Sequence, residues 1–197
     1  MSGRWRNTSP HELVDWLAGV DMPWGIAGGW ALDLWQGTVT REHSDIEIAC
    51  FRSDLPQLLP TMQAFEIVVA QNKVLTPWRA NDPLPDGPFS LWLRRHGEPL
   101  WDFEIVAESR RDNLWVYQRE VSVTLPPDEV FLQLGLFPIV RPEIQLLYKC
   151  KEPRPKDVDD LACCVPMLDA QGYRWLRDAV TVAHPEFLAT LAGFRGT

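Results

Sequence analysis

The strongest restriction on the fold comes from residues 24–51, where a strand, a glycine pair, a helix and a second strand follow one another closely. The apolar run Trp24–Ala27 predicts a short strand, Gly28 and Gly29 predict a tight turn, and residues 30–36 predict a helix that ends at the next glycine. A strand that leads through a glycine turn into a helix is typical of sheets with packed helices. We therefore expect an α/β arrangement.

The second strand of this segment is acidic on one side. From Ser44 onwards Asp45, Ile46, Glu47 and Ile48 alternate, so the isoleucines face a core and both carboxylates leave the opposite face. The two acidic Cα atoms should lie about 7 Å apart, because a strand rises about 3.3 Å per residue. Such a pair is either the solvated face of a sheet or a cation site, and the pair alone does not decide between them.

The rest of the chain divides into two parts of different character. Ser9 and Pro10 predict the start of an N-terminal helix, and another helix is predicted over roughly 54–63. Short apolar or alternating runs predict further strands up to residue 125, whereas the segments beyond 126 have helical spacing. We predict an α/β (α+β) protein with a mixed sheet flanked by helices in residues 1–125 and a helical domain in residues 126–197.

Composition excludes several classes of protein. Of the 197 residues, 46% are hydrophobic and 23% are charged, which is globular composition. No apolar stretch reaches the roughly 20 residues that span a bilayer, and the first residues do not resemble a signal peptide, so we expect a cytoplasmic protein without a membrane partner. The four cysteines lack C-x-x-C spacing and predict neither a zinc site nor a disulfide framework. The net charge of −8 disfavours a nucleic-acid partner and suits a small cationic one.

The glycine pair and the acidic strand together suggest phosphate chemistry. Gly28-Gly29 is either a simple turn or a place where backbone N–H groups and a helix N-terminus approach a phosphate. Arg41 precedes Asp45 and Glu47 by only a few residues. A phosphate cradle beside a carboxylate pair is the arrangement that metal-assisted phosphoryl or nucleotidyl transfer needs, with Mg²⁺ on the carboxylates.

The segment "WGIAGGWALDLWQGTVTREHSDIEIACF" closely resembles the active-site segment of the DNA polymerase beta-like nucleotidyltransferases. Within that superfamily it is most similar to small aminoglycoside adenylyltransferases of the 2''-type and to lincosamide nucleotidyltransferases. Their pattern is G-G-W-x-x-D, a spacer, and T-R-x-H-x-D-I-D. The matching residues are Gly28, Gly29, Trp30, Asp33, Thr40, Arg41, His43, Asp45 and Ile46.

The resemblance implies an adenylyltransferase with a nucleotidyltransferase fold. It places Mg²⁺ on Asp45 and Glu47, and ATP or another nucleoside triphosphate as co-substrate. The implied nucleotide-binding residues are Gly28, Gly29, Trp30, Arg41, His43, Lys149 and Lys156. The chain departs from the family at Glu47, where the pattern has aspartate; the extra methylene shifts the carboxylate and bears on metal geometry.

The family also uses a third carboxylate on a neighbouring strand as general base. The run "LWDFEIVA" offers Asp102 and Glu104, which should share one face. The family spacing favours Asp102 as base and as a further metal ligand, and Glu104 is the alternative. Lys151 is interpreted as a solvated lysine.

We expect the acceptor to be a hydroxyl of a small, cationic, aminoglycoside-like molecule, which would make the protein an antibiotic-resistance enzyme. Two alternatives stay open. One is a catalytically silent nucleotide-binding or interaction module, which Glu47 would favour. The other is a toxin-type nucleotidyltransferase that modifies protein or tRNA. The sequence does not predict an oligomeric state.

Overall fold

The computed structural model describes residues 4–80 and 82–196. Within these ranges ten strands form one mixed sheet with helices on both faces, which confirms the predicted fold class. The strands are β1 (Trp24–Ala27), β2 (Glu47–Phe51), β3 (Phe65–Gln71), β4 (Val74–Trp78), β5 (Ser90–Arg95), β6 (Phe103–Arg111), β7 (Leu114–Val116), β8 (Thr124–Leu125), β9 (Phe131–Leu134) and β10 (Phe137–Val140). The helices are α1 (Pro10–Trp16), α2 (Gly28–Gln36), α3 (Leu55–Leu58), α4 (Pro142–Lys149), α5 (Pro155–Cys164), α6 (Ala170–Ala183) and α7 (Leu188–Arg195).

The main path of the sheet has the order β4-β3-β5-β6-β2-β1-β10-β9, and β7 joins β6 to β8 at one side. The pairs β2–β6 and β1–β10 are parallel, and the other neighbours are antiparallel. The central position of β1 and β2 places the glycine pair and the acidic strand in the middle of the sheet.

Several predicted elements form because of local signals. Helix α1 begins with a capping box, in which Ser9 Oγ accepts from the Glu12 backbone N–H and the Glu12 carboxylate accepts from the Ser9 N–H. The helix predicted over 54–63 is instead broken into a 3₁₀ turn, the short α3 and a second 3₁₀ turn. The two prolines at 56 and 60 explain the interruption, since each lacks an N–H for the helical ladder.

The boundaries around the glycine pair differ from the prediction. Helix α2 begins at Gly28, not after it, and Gly28 has φ +66°, a backbone conformation that glycine adopts without strain. Strand β2 begins at Glu47, so Asp45 lies just before the strand. Burial still alternates there, with Ile46 and Ile48 buried and the two acids partly exposed.

The segment predicted as a helical domain begins with strands. Strands β9 and β10 form a hairpin, and β10 pairs with β1 in the main sheet. The helical expectation was therefore wrong for residues 131–140, and it holds from α4 onwards. The division into domains at residue 125 stays a prediction, and its outermost residues, 1–3 and 197, lie outside the described ranges.

The sheet has two differently covered faces. We call the face that carries Ile26, Ile48 and Ile105 the α1 face, because it forms a core with α1 and α3. The opposite face, called the α4 face, carries Ala27 and Ala49 and forms a second core with helices α4 to α7. Glu47 alternates with Ile48 and therefore lies on the α4 face. None of the described helices is long and apolar enough to cross a membrane.

Candidate functional site

A cleft of about 490 Å³ opens on the α4 face, between the sheet and helices α4 and α5. Most of the residues predicted from the sequence line it: Gly28, Gly29, Trp30, Arg41, His43, Asp45, Glu47, Lys149 and Lys156. The structure thus brings together residues that are more than 100 positions apart in the sequence. Their individual roles stay predictions.

Two carboxylates, Asp45 and Glu47, line the sheet end of this cleft, and a third, Glu104, lies beside Glu47 on the next strand. Glu47 on β2 is the register partner of Glu104 on the parallel strand β6, so the two side chains leave the same face of adjacent strands. Asp45 lies two residues before Glu47 and interacts electrostatically with both. Within residues 4–80 and 82–196, none of the three forms an ion pair with a lysine or arginine.

This clustering changes the acidity of the carboxylates. Burial, followed by the negative charges of Glu104 and Asp45, raises the pKa of Glu47 to about 7, although Lys149 and Lys156 act in the opposite direction. Burial also raises the pKa of Glu104, and the charge of Asp45 adds to the effect. Carboxyl groups with raised pKa values that cluster in one place are typical of a site that is completed by a cation or a proton transfer.

Asp102 does not join this group. It precedes β6 by one residue, is 1% exposed, and lies beside α1. Its carboxylate accepts hydrogen bonds from Arg6 Nε at 2.7 Å and from the Arg95 backbone N–H at 2.8 Å. The expectation that Asp102 and Glu104 share one face was wrong, because the regular strand begins only at Phe103. The structure therefore places Asp102 in a buried ion-pair network and Glu104 beside Glu47.

The glycine pair packs closely against the predicted site residues. A Cβ atom at position 28 would lie 2.9 Å from Glu47 Oε2, and one at position 29 would lie 2.6 Å from His43 Cε1. Both contacts are tighter than packed side chains tolerate, so any larger residue here would displace the acidic strand or the histidine loop. The Gly28 N–H donates to Gln145 Oε1 of α4 at 2.7 Å. That bond fixes the start of α2 against the second half of the chain.

Asp33 organises the loop between α2 and β2. Its buried carboxylate accepts from Thr40 Oγ1 at 2.6 Å and from the Thr40 backbone N–H at 3.1 Å, and it lies 2.6 Å from His43 Nε2. The His43 ring also stacks on Trp30, with ring centroids 4.4 Å apart. Burial lowers the pKa of His43, and the charge of Arg41 acts in the same direction. His43 and Trp30 therefore hold the loop in place while they form part of the cleft wall.

The cations of the cleft fall into two groups. Lys149 is 9% exposed and pairs with Asp157 at 3.1 Å and with Asp160 at 2.7 Å, and Arg41 makes two hydrogen bonds to Asp160. Burial would raise the pKa of Asp160, but the hydrogen bonds and charges of Arg41 and Lys149 outweigh it and lower that pKa. Lys156, by contrast, has no carboxylate partner among the residues that the structure describes. Lys151, which was interpreted as solvated, is exposed but lines the cleft, and so does Arg119. Neither of these two forms an ion pair among the described residues, so Lys156, Lys151 and Arg119 can each meet a negatively charged ligand without breaking one.

Several polar residues of the cleft were not predicted from the sequence: Glu108, Arg119, Gln145, Tyr148, Glu152 and Arg154. Glu108 is 2% exposed, and its carboxylate accepts from Trp115 Nε1 at 2.8 Å and from the Tyr148 hydroxyl at 3.0 Å. Burial raises its pKa. Its position four residues after Glu104 on one strand was a usable signal, because residues i and i+4 of a strand share a face. No local pattern in the sequence predicts the contact between Gln145 and Gly28, which are 117 positions apart.

The donor set fits a magnesium ion that is held partly by its ligand. No cluster of three or more histidine, cysteine, aspartate or glutamate residues in the described part of the chain could enclose a metal ion by itself. Mg²⁺ is usually bound through one or two carboxylates together with substrate phosphates, and not by a cage made only of protein. Asp45 and Glu47 supply hard oxygen ligands of that kind.

Comparison with protein families finds a match to the N-terminal part of the chain. Residues 10–82 match the model of the aminoglycoside-2''-adenylyltransferase family. The comparison with curated proteins returns no match.

Solved structures share the fold at low sequence identity. The crystal structure of the lincosamide antibiotic adenylyltransferase LnuA, with lincomycin bound, is 17% identical and aligns with a TM-score of 0.53, covering 88% of this chain and 99% of that one. The crystal structure of ANT(2'')-Ia in complex with adenylyl-2''-tobramycin is also 17% identical, covers 94% of each chain and has a TM-score of 0.47. The predicted resemblance is confirmed: residues 10–82 match the aminoglycoside-2''-adenylyltransferase family model, and the fold is shared with the lincosamide adenylyltransferase structure.

Proposed function

We propose that the protein transfers AMP from ATP to a hydroxyl group of a small antibiotic-like molecule, with Mg²⁺ as the metal. The observation that carries this proposal is the grouping of Asp45 and Glu47 in the cleft with Glu104 on the adjacent strand, together with lining cations such as Lys156 that form no ion pair among the described residues. Three clustered carboxylates cost stability in the free protein, and a bound cation would offset that cost. The family match over residues 10–82 supports the same chemistry.

Asp45 and Glu47 would hold the metal, which when bound would neutralise charge on the phosphates of the nucleotide. Glutamate at position 47 is compatible with this role because Gly28 leaves room for it: the carboxylate occupies space that any side chain at position 28 would fill. The chain thus has a glutamate at position 47, which is longer than aspartate, and a glycine without a Cβ atom at position 28 beside it.

Lys156 and the N-terminus of α2 would bind the triphosphate. The backbone N–H groups at the start of a helix favour anions, and Lys156 adds a full positive charge. The Gly28 N–H already donates to Gln145, so the N–H of Gly29 is the donor of the pair that is available to a phosphate. Lys149 would act indirectly, by holding Asp157 and Asp160 in place.

Glu104 would act as the general base. Glu104 lies beside Glu47 and burial raises its pKa, which favours proton uptake, whereas the Asp102 carboxylate is held in an ion-pair network by Arg6 and the Arg95 N–H. In the reaction the acceptor oxygen attacks the α-phosphorus of ATP, and its proton passes to Glu104. The bond between the α-phosphorus and the bridging oxygen breaks, and pyrophosphate leaves with the electron pair.

The proposal is tested by incubating the protein with ATP, Mg²⁺ and a panel of hydroxylated antibiotics that includes lincomycin and tobramycin. Mass spectrometry should detect an acceptor that has gained one AMP. The Asp45→Asn variant serves as the matched control and should give no adduct. Absence of an adduct with every acceptor, or an undiminished adduct in the variant, would contradict the proposal.

A further inference from the structure

The sheet continues from Glu104 towards its β4 edge, and the core that the described helices form on the α4 face includes no residue of β3, β4 or β5. In β3 and β5 the residues on the α1 face, such as Ile67 and Leu93, are buried. Their neighbours on the α4 face, such as Val68 and Trp92, are partly exposed. This end of the α4 face is therefore an open surface next to the carboxylates.

Trp92 dominates that surface. It is the register partner of Glu104 on the neighbouring antiparallel strand, so its indole ring lies beside the carboxylate that we propose as the base. Two further tryptophans contact it, Trp5 with ring centroids 4.9 Å apart and Trp101 with centroids 5.8 Å apart. Packed indole rings lose little conformational entropy when a ligand stacks on them.

A cavity of about 280 Å³ opens against Trp92 on the side away from Glu104. Ala70 and Leu75, which are register partners on β3 and β4, line it together with the hairpin residues 71–74. Among the described residues, none that lines the cavity is a carboxylate, and Lys73 is the one charged side chain there. Leu75 lies three strands from Glu104 and two residues further along the register. With about 4.8 Å between strands and about 3.3 Å per residue, the distance is roughly 16 Å, the length of a molecule of two or three rings.

We infer that Trp92, Ala70 and Leu75, here called the Trp92 surface, bind the acceptor, and that the acceptor is a ring alcohol with an apolar face and at most one positive charge. A sugar or aliphatic ring gains contact area on an indole ring and on the adjoining apolar side chains. A polycation would find no carboxylate in the cavity and would be repelled by Lys73. The inference rests on the proposed function, because it depends on Glu104 accepting the proton of the acceptor.

This inference departs from the cationic acceptor expected from the sequence. That expectation counted the carboxylates near the site, but Asp102 is neutralised by Arg6 and Arg95, and Asp45 and Glu47 face the nucleotide side. The nucleotide cleft and the Trp92 surface lie on opposite sides of Glu104, and their charge differs accordingly.

The test is a calorimetric titration of the whole protein, saturated with Mg²⁺ and a non-hydrolysable ATP analogue. The probes are lincomycin, which has one basic amine and an apolar arm, and tobramycin, a polycation. The variants are Trp92→Leu and Leu75→Asp, and the matched control is Thr76→Asp. Thr76 follows Leu75 on the same strand but pairs with Val69 on the α1 face, so the control adds the same charge on the opposite side of the sheet.

Lincomycin should bind the wild-type protein and the Thr76→Asp control alike. It should bind both Trp92 surface variants at least about tenfold more weakly, which is the effect of removing a central contact side chain. Affinity for the nucleotide analogue should be the same in all four proteins. Tighter binding of tobramycin than of lincomycin, no binding of lincomycin to the wild type, or equal affinity in Leu75→Asp and Thr76→Asp would overturn the inference. If the wild type fails to bind the nucleotide analogue, the proposed function itself fails; intact nucleotide binding confines the failure to the acceptor.

Discussion

Replacing Glu47 with glutamine should stabilise the metal-free protein at alkaline pH. The structure raises the pKa of Glu47 from 4.5 to about 7, so the folded protein holds this proton more tightly than the unfolded chain does. As the pH rises from about 4.5 through 7, the folded state must give up a proton that the unfolded chain has already lost. The free energy of unfolding therefore falls over this window and stays low above it.

The size of the effect follows from the pKa difference. A difference of about 2.5, at about 1.4 kcal/mol for each unit, corresponds to about 3 kcal/mol as an upper limit. Glu47 is partly exposed, and solvent screening reduces the cost of its charge, so we expect about 1–3 kcal/mol. Glutamine has nearly the same shape and no charge, and the Glu47→Gln variant should be more stable than the wild type by this amount at pH 8.

The assay is urea denaturation of both proteins in the presence of a chelator at pH 4 and pH 8. At pH 4 the two free energies of unfolding should agree, because Glu47 is then protonated in both states of the wild type. Added Mg²⁺ and a non-hydrolysable ATP analogue should reverse the order at pH 8, since only the wild type gains a complete ligand set. A variant that is less stable than the wild type at pH 8 without metal would refute the reasoning.

Three further predictions use melting and kinetics. Asp45→Asn should stay folded but lose the rise in melting temperature that Mg²⁺ and a nucleotide analogue give the wild type; an unchanged rise would remove Asp45 from the metal site. Glu104→Gln should bind nucleotide normally but slow transfer by roughly 10²–10⁴-fold. Asp102→Asn should lower the free energy of unfolding by about 1–3 kcal/mol and have little effect on turnover. The reverse result would return the role of general base to Asp102. In a steady-state assay, Lys156→Ala should raise the KM for ATP by roughly ten- to hundredfold without loss of stability. Lys149→Ala should instead lower the melting temperature, because it removes an ion-pair partner of the buried Asp157 and Asp160. Equal KM values for Lys156→Ala and the wild type would contradict a contact between Lys156 and the nucleotide.

Local signals predicted much of the fold around the site. Strand β1 has the predicted bounds, because an apolar run followed by two glycines leaves few alternatives. The alternation at Asp45 and Glu47 placed both acids on one face, since that face is fixed by the burial of Ile46 and Ile48. The capping box at Ser9 set the start of α1.

Contacts over long sequence distances explain what the sequence could not predict. The exclusion of Asp102 from the cleft depends on Arg6, which lies 96 positions earlier, and the contact of Gly28 with Gln145 spans 117 positions. Neither pair has a motif that links its members. The strands at 131–140 were missed because their burial comes from pairing with β1, a tertiary contact that local spacing does not encode.

The central claim is that the carboxylates Asp45, Glu47 and Glu104 direct transfer of a nucleoside monophosphate. It is tested most directly by following ATP labelled at the α-phosphate in one reaction and at the γ-phosphate in another, each with Mg²⁺ and an acceptor. The account predicts that the α-label appears on the acceptor and the γ-label in pyrophosphate, and that Glu104→Gln suppresses both to a similar extent. Appearance of the γ-label on the acceptor, or an α-label transfer that Glu104→Gln leaves intact, would contradict it.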